Sequence, residues 1–125
     1  MTLDEQRGIL FVACKEGKIA ALDAKNGGKL LANATFGSNL DFLGFNPHLS
    51  HLYIPSGQTA VLGIYGVNAV SATGQLSVSL TLLGSADTAL GSKCITTDNA
   101  DDIWVCNPNT GAVLQIKDTL PTSVH

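Results

Sequence analysis

The sequence predicts an all-β chain built from repeats, and three observations lead there. A short hydrophobic strand centred on an aromatic occurs three times, as Leu10-Phe11-Val12-Ala13, Leu52-Tyr53-Ile54 and Ile103-Trp104-Val105-Cys106. Each copy follows an apolar segment ending in Asn or Asp and then a polar turn: Leu3-Asp4, Phe45-Asn46 and Ile95-Thr96-Thr97-Asp98. The aromatic positions stand 42 and 51 residues apart, and self-similarity at such a period, with strands filling the interval, is the mark of a β-propeller. The composition agrees. A chain that is 45% hydrophobic but only 14% charged, with 13 Gly, suits short buried strands joined by tight turns better than exposed helices.

The 125 residues amount to one small domain, a single segment spanning residues 1–125 that can bury a modest core. Propellers close with about four to eight blades, and at about 40 residues per repeat this length supplies two to three. The ring is therefore expected to be completed by oligomerisation, most simply as a dimer, or else the residues belong to a longer protein.

The first unit covers about 1–37. Ile9–Cys14 reads as a buried strand, Lys15-Glu16-Gly17 as a turn and Lys18–Asp23 as its hairpin partner. Asn26-Gly27-Gly28 is a second turn, since Asn and Gly accept positive φ, and Lys29–Phe36 is the outer strand. A helix over 10–25 is disfavoured because Gly17 interrupts it and the apolar positions hold no 3.6 period. The second unit, about 38–84, has strands at Leu40–Phe45, Leu52–Ile54, Ala60–Val67 and Leu76–Leu82; in the last, Leu76, Val78, Leu80 and Leu82 are expected to face one way. Pro47 and Pro55 sit at strand ends, where a missing N–H costs least. The third unit, about 85–125, has strands at Lys93–Thr97, Asp102–Cys106 and Ala112–Lys117 and lacks an outer strand, which leaves an open edge.

A net charge of −3 and a pI near 5.4, with scattered Lys and Arg, argue against nucleic acid as a partner. The start of the chain is polar and acidic where an export signal needs a basic and then apolar run, and no stretch approaches 18 apolar residues, so no membrane span is expected. These features place the protein in the cytoplasm if Met1 is its natural start, and in the periplasm or outside the cell if it is a piece of an exported protein.

Cys94 and Cys106 are the most informative polar pair. If Asn99-Ala100-Asp101 is the hairpin apex, Thr97 meets Ile103, Ile95 meets Val105 and Cys94 meets Cys106. At a non-hydrogen-bonded position, with Cα atoms about 4.5 Å apart, a disulfide is feasible and points to an oxidising compartment; the alternative is two buried free thiols acting as small hydrophobes. Cys14 aligns with Asn107 and so projects to the other face of its strand, as a packing residue. His48 and His51 lie three apart in a turn, where their rings do not converge, so a metal there needs outside ligands. Asp98, Asn99, Asp101 and Asp102 lack the Gly and closing Glu of a calcium loop, and Asx side chains bonding their own backbone explain them. No hydrolase elbow, phosphate loop or dinucleotide fingerprint is present, and no cofactor is expected. Phe11, Tyr53 and Trp104, recurring at one place in three repeats, are read as packing between blades rather than as a stacking platform.

The units Phe11-Val12-Ala13-Cys14, Tyr53-Ile54-Pro55-Ser56 and Trp104-Val105-Cys106-Asn107 resemble the signature of the YVTN-repeat β-propellers, with Ala13-Cys14, Pro55-Ser56 and Cys106-Asn107 in place of its Thr-Asn. The resemblance implies a ring, commonly of seven four-stranded blades, in bacterial or archaeal proteins that are often exported. On this basis the leading functional expectation is a non-catalytic binding or scaffold module whose ligands contact the turns or the central channel. Two alternatives stand beside it. One is a hydrolase resembling the lactonase-type propellers, with Asp41, His48, His51 and Asp98 as channel candidates; the other is a fragment of a longer seven-bladed protein without independent activity.

Overall fold

The computed structural model describes residues 1–122, and their regular secondary structure is entirely β-strand. Eleven strands form three antiparallel sheets, and within each the spatial order follows the sequence. Sheet 1 holds β1 (Thr2–Asp4), β2 (Ile9–Ala13), β3 (Lys18–Asp23) and β4 (Lys29–Thr35). Sheet 2 holds β5 (Gly44–Asn46), β6 (His51–Ser56), β7 (Val61–Ala72) and β8 (Gln75–Asp87). Sheet 3 holds β9 (Ile95–Thr97), β10 (Asp102–Asn107) and β11 (Ala112–Lys117), with no fourth strand among the described residues. No helix in them is long and apolar enough to cross a membrane.

The three inner turns share one construction. Asp4 Oδ1 accepts from the Arg7 N–H, Asn46 Oδ1 from the His48 and Leu49 N–H groups, and Asp98 Oδ1 from the Ala100 and Asp102 N–H groups. A short polar side chain at the strand end thus ties down donors that the reversal leaves free. The residue before the next strand has positive φ in all three: Gly8 (70°), Ser50 (57°) and Asp101 (63°). Only Gly takes that conformation without cost; Ser50 holds it while its hydroxyl donates to the Val67 carbonyl at 2.7 Å.

The period-2 alternation of strands sends neighbouring side chains to opposite faces, and this chain uses the two faces differently. In sheet 1, Ile9, Phe11, Ile19 and Ala21 point at sheet 2 and share a core with its Leu52, Ile54, Tyr65 and Val67; the Phe11 and Phe45 rings stack at 5.3 Å between centroids. On its other face sheet 2 sends Tyr53, Leu62 and Ile64 against Ile103 and Val105 of sheet 3. Phe11 and Tyr53 therefore each face the following sheet, and the aliphatic residues on either side of Tyr53 and of Trp104 face the preceding one. Phe11 and Tyr53 are fully buried, a burial worth on the order of 1.5–3 kcal/mol for each such side chain. Trp104 lies on the face of sheet 3 turned away from sheet 2 and is half-buried.

Several details differ from the sequence reading, among them that β7 continues to Ala72 where its strand was expected to end at Val67. The inner strand of the second unit spans only Gly44–Asn46 rather than Leu40–Phe45. Leu40 and Leu43 are buried in the first core, while Asp41 and Phe42 are exposed, so that apolar run plugs a gap between sheets instead of extending a ladder. Strand β8 runs to Asp87, beyond the expected limit at 84, and its alternation breaks at a bulge opposite Ile64 and Tyr65. Leu76, Val78 and Leu80 pack on the first core, but Leu82 stands at the bulge, 52% exposed, and beyond it Ala86 joins the second core.

The hairpin register read from the sequence holds: Ile103 pairs with Thr97 and Val105 with Ile95, and Cys94 and Cys106 are joined by a disulfide. Their Cα atoms are 5.5 Å apart and the Cys106 N–H donates to the Cys94 carbonyl at 3.2 Å. This is the spacing of a hydrogen-bonded pair, not the 4.5 Å position expected. Neither is the buried free thiol of the alternative reading, because both lie outside the sheet 2–sheet 3 core, with Cys94 exposed. A crosslink closing 12 residues constrains the unfolded chain by roughly 3 kcal/mol. Reduction with dithiothreitol is expected to lower the urea midpoint with the β-sheet circular dichroism retained in water; an unchanged midpoint contradicts this.

Candidate binding face at the inner turns

The three inner turns gather at one end of the sheets, since β1 lies beside β5 and β5 beside β9. Polar clamps cross each junction there. Between sheets 1 and 2, Arg7 Nε donates to Asp4 Oδ2 at 2.5 Å and its Nη2 to Ser50 Oγ at 2.8 Å, with the guanidinium 5.9 Å from the centre of the Phe45 ring. The charge is thus held by a buried carboxylate, a hydroxyl and an aromatic face.

The second clamp is larger. Asp118, just past β11, is buried; its Oδ2 accepts from the Tyr53 hydroxyl at 2.5 Å and contacts His51 Nδ1 at 2.6 Å, and its Oδ1 accepts from the Leu120 N–H at 3.0 Å. The other ring nitrogen of His51, Nε2, faces the Pro121 carbonyl at 2.8 Å. Both ring nitrogens of the buried imidazole are thus engaged, one by the Asp118 carboxyl and one by the Pro121 carbonyl. Burial, reinforced by Asp118, pushes the Tyr53 hydroxyl well above its usual range and keeps it a donor. Asn46 Nδ2 extends the chain of contacts, donating to the Tyr53 oxygen at 3.3 Å and to Asp101 Oδ1 at 2.9 Å, and His48 Nδ1 lies 3.0 Å from the same Asp101 oxygen.

Two hollows open beside these clamps. One, about 610 Å³, lies between Gln6, Arg7, Asp23, Lys25 and Asn26 and the far part of the long β7–β8 hairpin, at Ala69, Ser71, Gly74 and Leu76. The other, about 220 Å³, is lined by Asp4, Gln6, Arg7, Phe45, Pro47 and His48. Both mix polar and charged side chains with apolar ones, a lining suited to a small polar ligand or peptide segment.

The residues singled out from sequence are not gathered into one site. His51 is not a channel residue: it begins β6, is fully buried, and both its ring nitrogens are engaged. His48 is exposed and pairs with Asp101. The Asp98 carboxylate bonds the backbone of its own turn, as the run of Asx residues predicts, and its Oδ2 also accepts from Trp104 Nε1 at 3.0 Å. Asp41 is exposed on the segment leading to β5. Among the described residues no group of three or more His, Cys, Asp or Glu is placed to hold a metal ion. Cys14 is an exposed free thiol, on the face of sheet 1 turned away from sheet 2, not a packing residue in a core. Asp118, Asp101, Asn46, Arg7 and Ser50 were missed as a set. The recurrence of an Asp after an alternating strand, at Asp23 and Asp118, was the available signal.

The Asp101 carboxyl is held below its ordinary range by Asn46 and then by His48, and the Asp98 carboxyl by Trp104 and the backbone N–H groups of its turn. A depressed folded pKa contributes stability above the ordinary value of 3.8 that is lost as pH falls through the lower folded value. The single tryptophan reports this: Trp104 emission is expected to titrate below pH 3.8 in wild type and to be flat in Asp98→Asn. A transition at or above that ordinary value contradicts the assignment.

No family model matches the chain, and no curated protein matches it.

Proposed function

We propose that the chain is a segment of a β-propeller, its three sheets acting as successive blades, and that it serves as a non-catalytic binding module whose ligands contact the inner turns. One observation carries the reading. The aromatic of one sheet is set into the following sheet at equivalent positions twice, Phe11 in the first core and Tyr53 in the second, which is how repeats that cannot cover their own flanks stack. The binding role is supported by the hollows at the inner turns. The hydrolase alternative draws no such support, because His51 and Asp98 are consumed by Asp118, the Pro121 carbonyl and Trp104. The Cys94–Cys106 bond supports an oxidising compartment for the protein.

The test pairs chemistry with binding. Lactone turnover, with and without added divalent metal ions, is expected to stay at the buffer rate. In amide NMR titrations against a fragment library, shifts are expected at Gln6, Arg7 and His48. Turnover that disappears in Asp98→Ala would replace this reading with the hydrolase one, and shifts confined to other parts of the surface would remove the inner turns as the binding face.

A further inference from the structure

We propose that two copies of the chain join head to tail, Trp104 of each entering the outward face of sheet 1 of the other, to close a ring of six sheets. The proposal rests on the propeller reading above and identifies the partner that completes it. The chain itself supplies the rule. Phe11 shares a core with Leu52 and Ile54, the residues either side of Tyr53; Tyr53 shares a core with Ile103 and Val105, the residues either side of Trp104. The same rule assigns Trp104 to Leu10 and Val12, the residues either side of Phe11. Among the described residues of one copy, both halves of this third junction lack a facing sheet.

The two end faces show the features such a junction needs. Leu3, Leu10, Leu22 and Leu30 are successive cross-strand partners and so form an apolar ladder across all four strands of sheet 1, with Leu3 45% and Leu30 54% exposed. Beside it Val12 pairs with Ala20 and Ala20 with Asn33, and a hollow of about 440 Å³ adjoins them, with Cys14, Ala20, Leu30 and Asn33 among its lining residues. The counterpart of Ala20 in sheet 2 is Gly63, opposite Ile54, where a Cβ would stand 2.8 Å from the Phe36 ring. An aromatic seated on a small residue is therefore a contact this chain already makes between its sheets. At the other end Trp104 is half-buried, and Val113, which shares its face, is 62% exposed. The contact is heterologous, and two copies give two identical junctions when the rotation closes. Six sheets fall within the range of about four to eight in which propellers close.

The test uses the intact chain. Sedimentation at micromolar concentration is expected to show one species at twice the 13.0 kDa of a single copy. On dilution the emission of Trp104 is expected to shift to the red in step with the fall in mass. Trp104→Glu and Val12→Glu, each with wild-type β-sheet circular dichroism, are each expected to be monomeric. Mixed in equal amounts they are expected to pair, because one intact junction can form between them, roughly tenfold or more weaker than wild type. A monomeric wild type, an open series of masses, emission that ignores the mass change, or variants that stay dimeric each overturn the proposal. Amide exchange separates this from the reading beneath it. A monomer with β2 and β6 strongly protected sinks only the second copy, whereas a monomer unprotected there sinks the stacked sheets as well.

Discussion

Replacing Asp118 by Ala is expected to cost about 3–5 kcal/mol, since two buried groups, the His51 ring and the Tyr53 hydroxyl, each lose a hydrogen-bond partner at about 1–3 kcal/mol. The substitution strands His51, which is 0% exposed, and removes the acceptor of the Tyr53 hydroxyl. At roughly 4 °C per kcal/mol for a domain of this size, the melting temperature is expected to fall by more than about 10 °C. The order of related variants tests the cause. Asp118→Asn keeps an acceptor oxygen and is expected to lose less, and Tyr53→Phe, which removes one donor from the carboxylate, about 1–3 kcal/mol. Urea unfolding in which Asp118→Ala loses under about 1 kcal/mol would show the pair to be a bystander.

Phe11→Ala is expected to cost about 3–5 kcal/mol, because the ring is fully enclosed between sheets 1 and 2 and the neighbouring Phe45 ring loses the face it stacks on. Trp104→Ala, measured on single copies, is expected to cost less than half as much, since its ring meets solvent on one side and keeps the Asp98 contact on the other. Urea midpoints at unchanged slope read the difference. Equal losses for the two would mean that the Phe11 junction is no better filled than the face carrying Trp104.

The all-β class and the three-part arrangement were legible because their signals are local. An Asn or Asp at a strand end, a polar turn and an aromatic-centred strand lie within a dozen residues of one another, and antiparallel hairpins convert that spacing directly into pairing. The Cys94–Cys106 register followed from symmetry about one apex for the same reason. What failed to show in sequence is non-local or irregular. Leu40 and Leu43 look like strand residues, and only the gap between two sheets decides that they plug it. The bulge opposite Ile64 and Tyr65 interrupts an otherwise clean alternation. His51 carried a metal-ligand look because its partner lies 67 positions away, and nothing near the histidine announces a carboxylate at that distance. The Asp98 turn was read correctly, whereas its tie to Trp104 depends on how a side chain folds back over a hairpin.

The last described residues bind late and far. Asp118 and the Pro121 carbonyl reach His51, and Thr122 donates to the Leu49 carbonyl at 3.1 Å, so this tail latches onto a turn made some seventy positions earlier. During synthesis, the strands of sheets 1 and 2 are all available once residue 87 has left the ribosome, yet the imidazole at the head of β6 still waits for its hydrogen-bond partners. Emergence of Asp118–Thr122 is then the step that locks the domain. A nascent chain stalled short of Asp118 would stay open to proteases at the very histidine that the finished molecule hides.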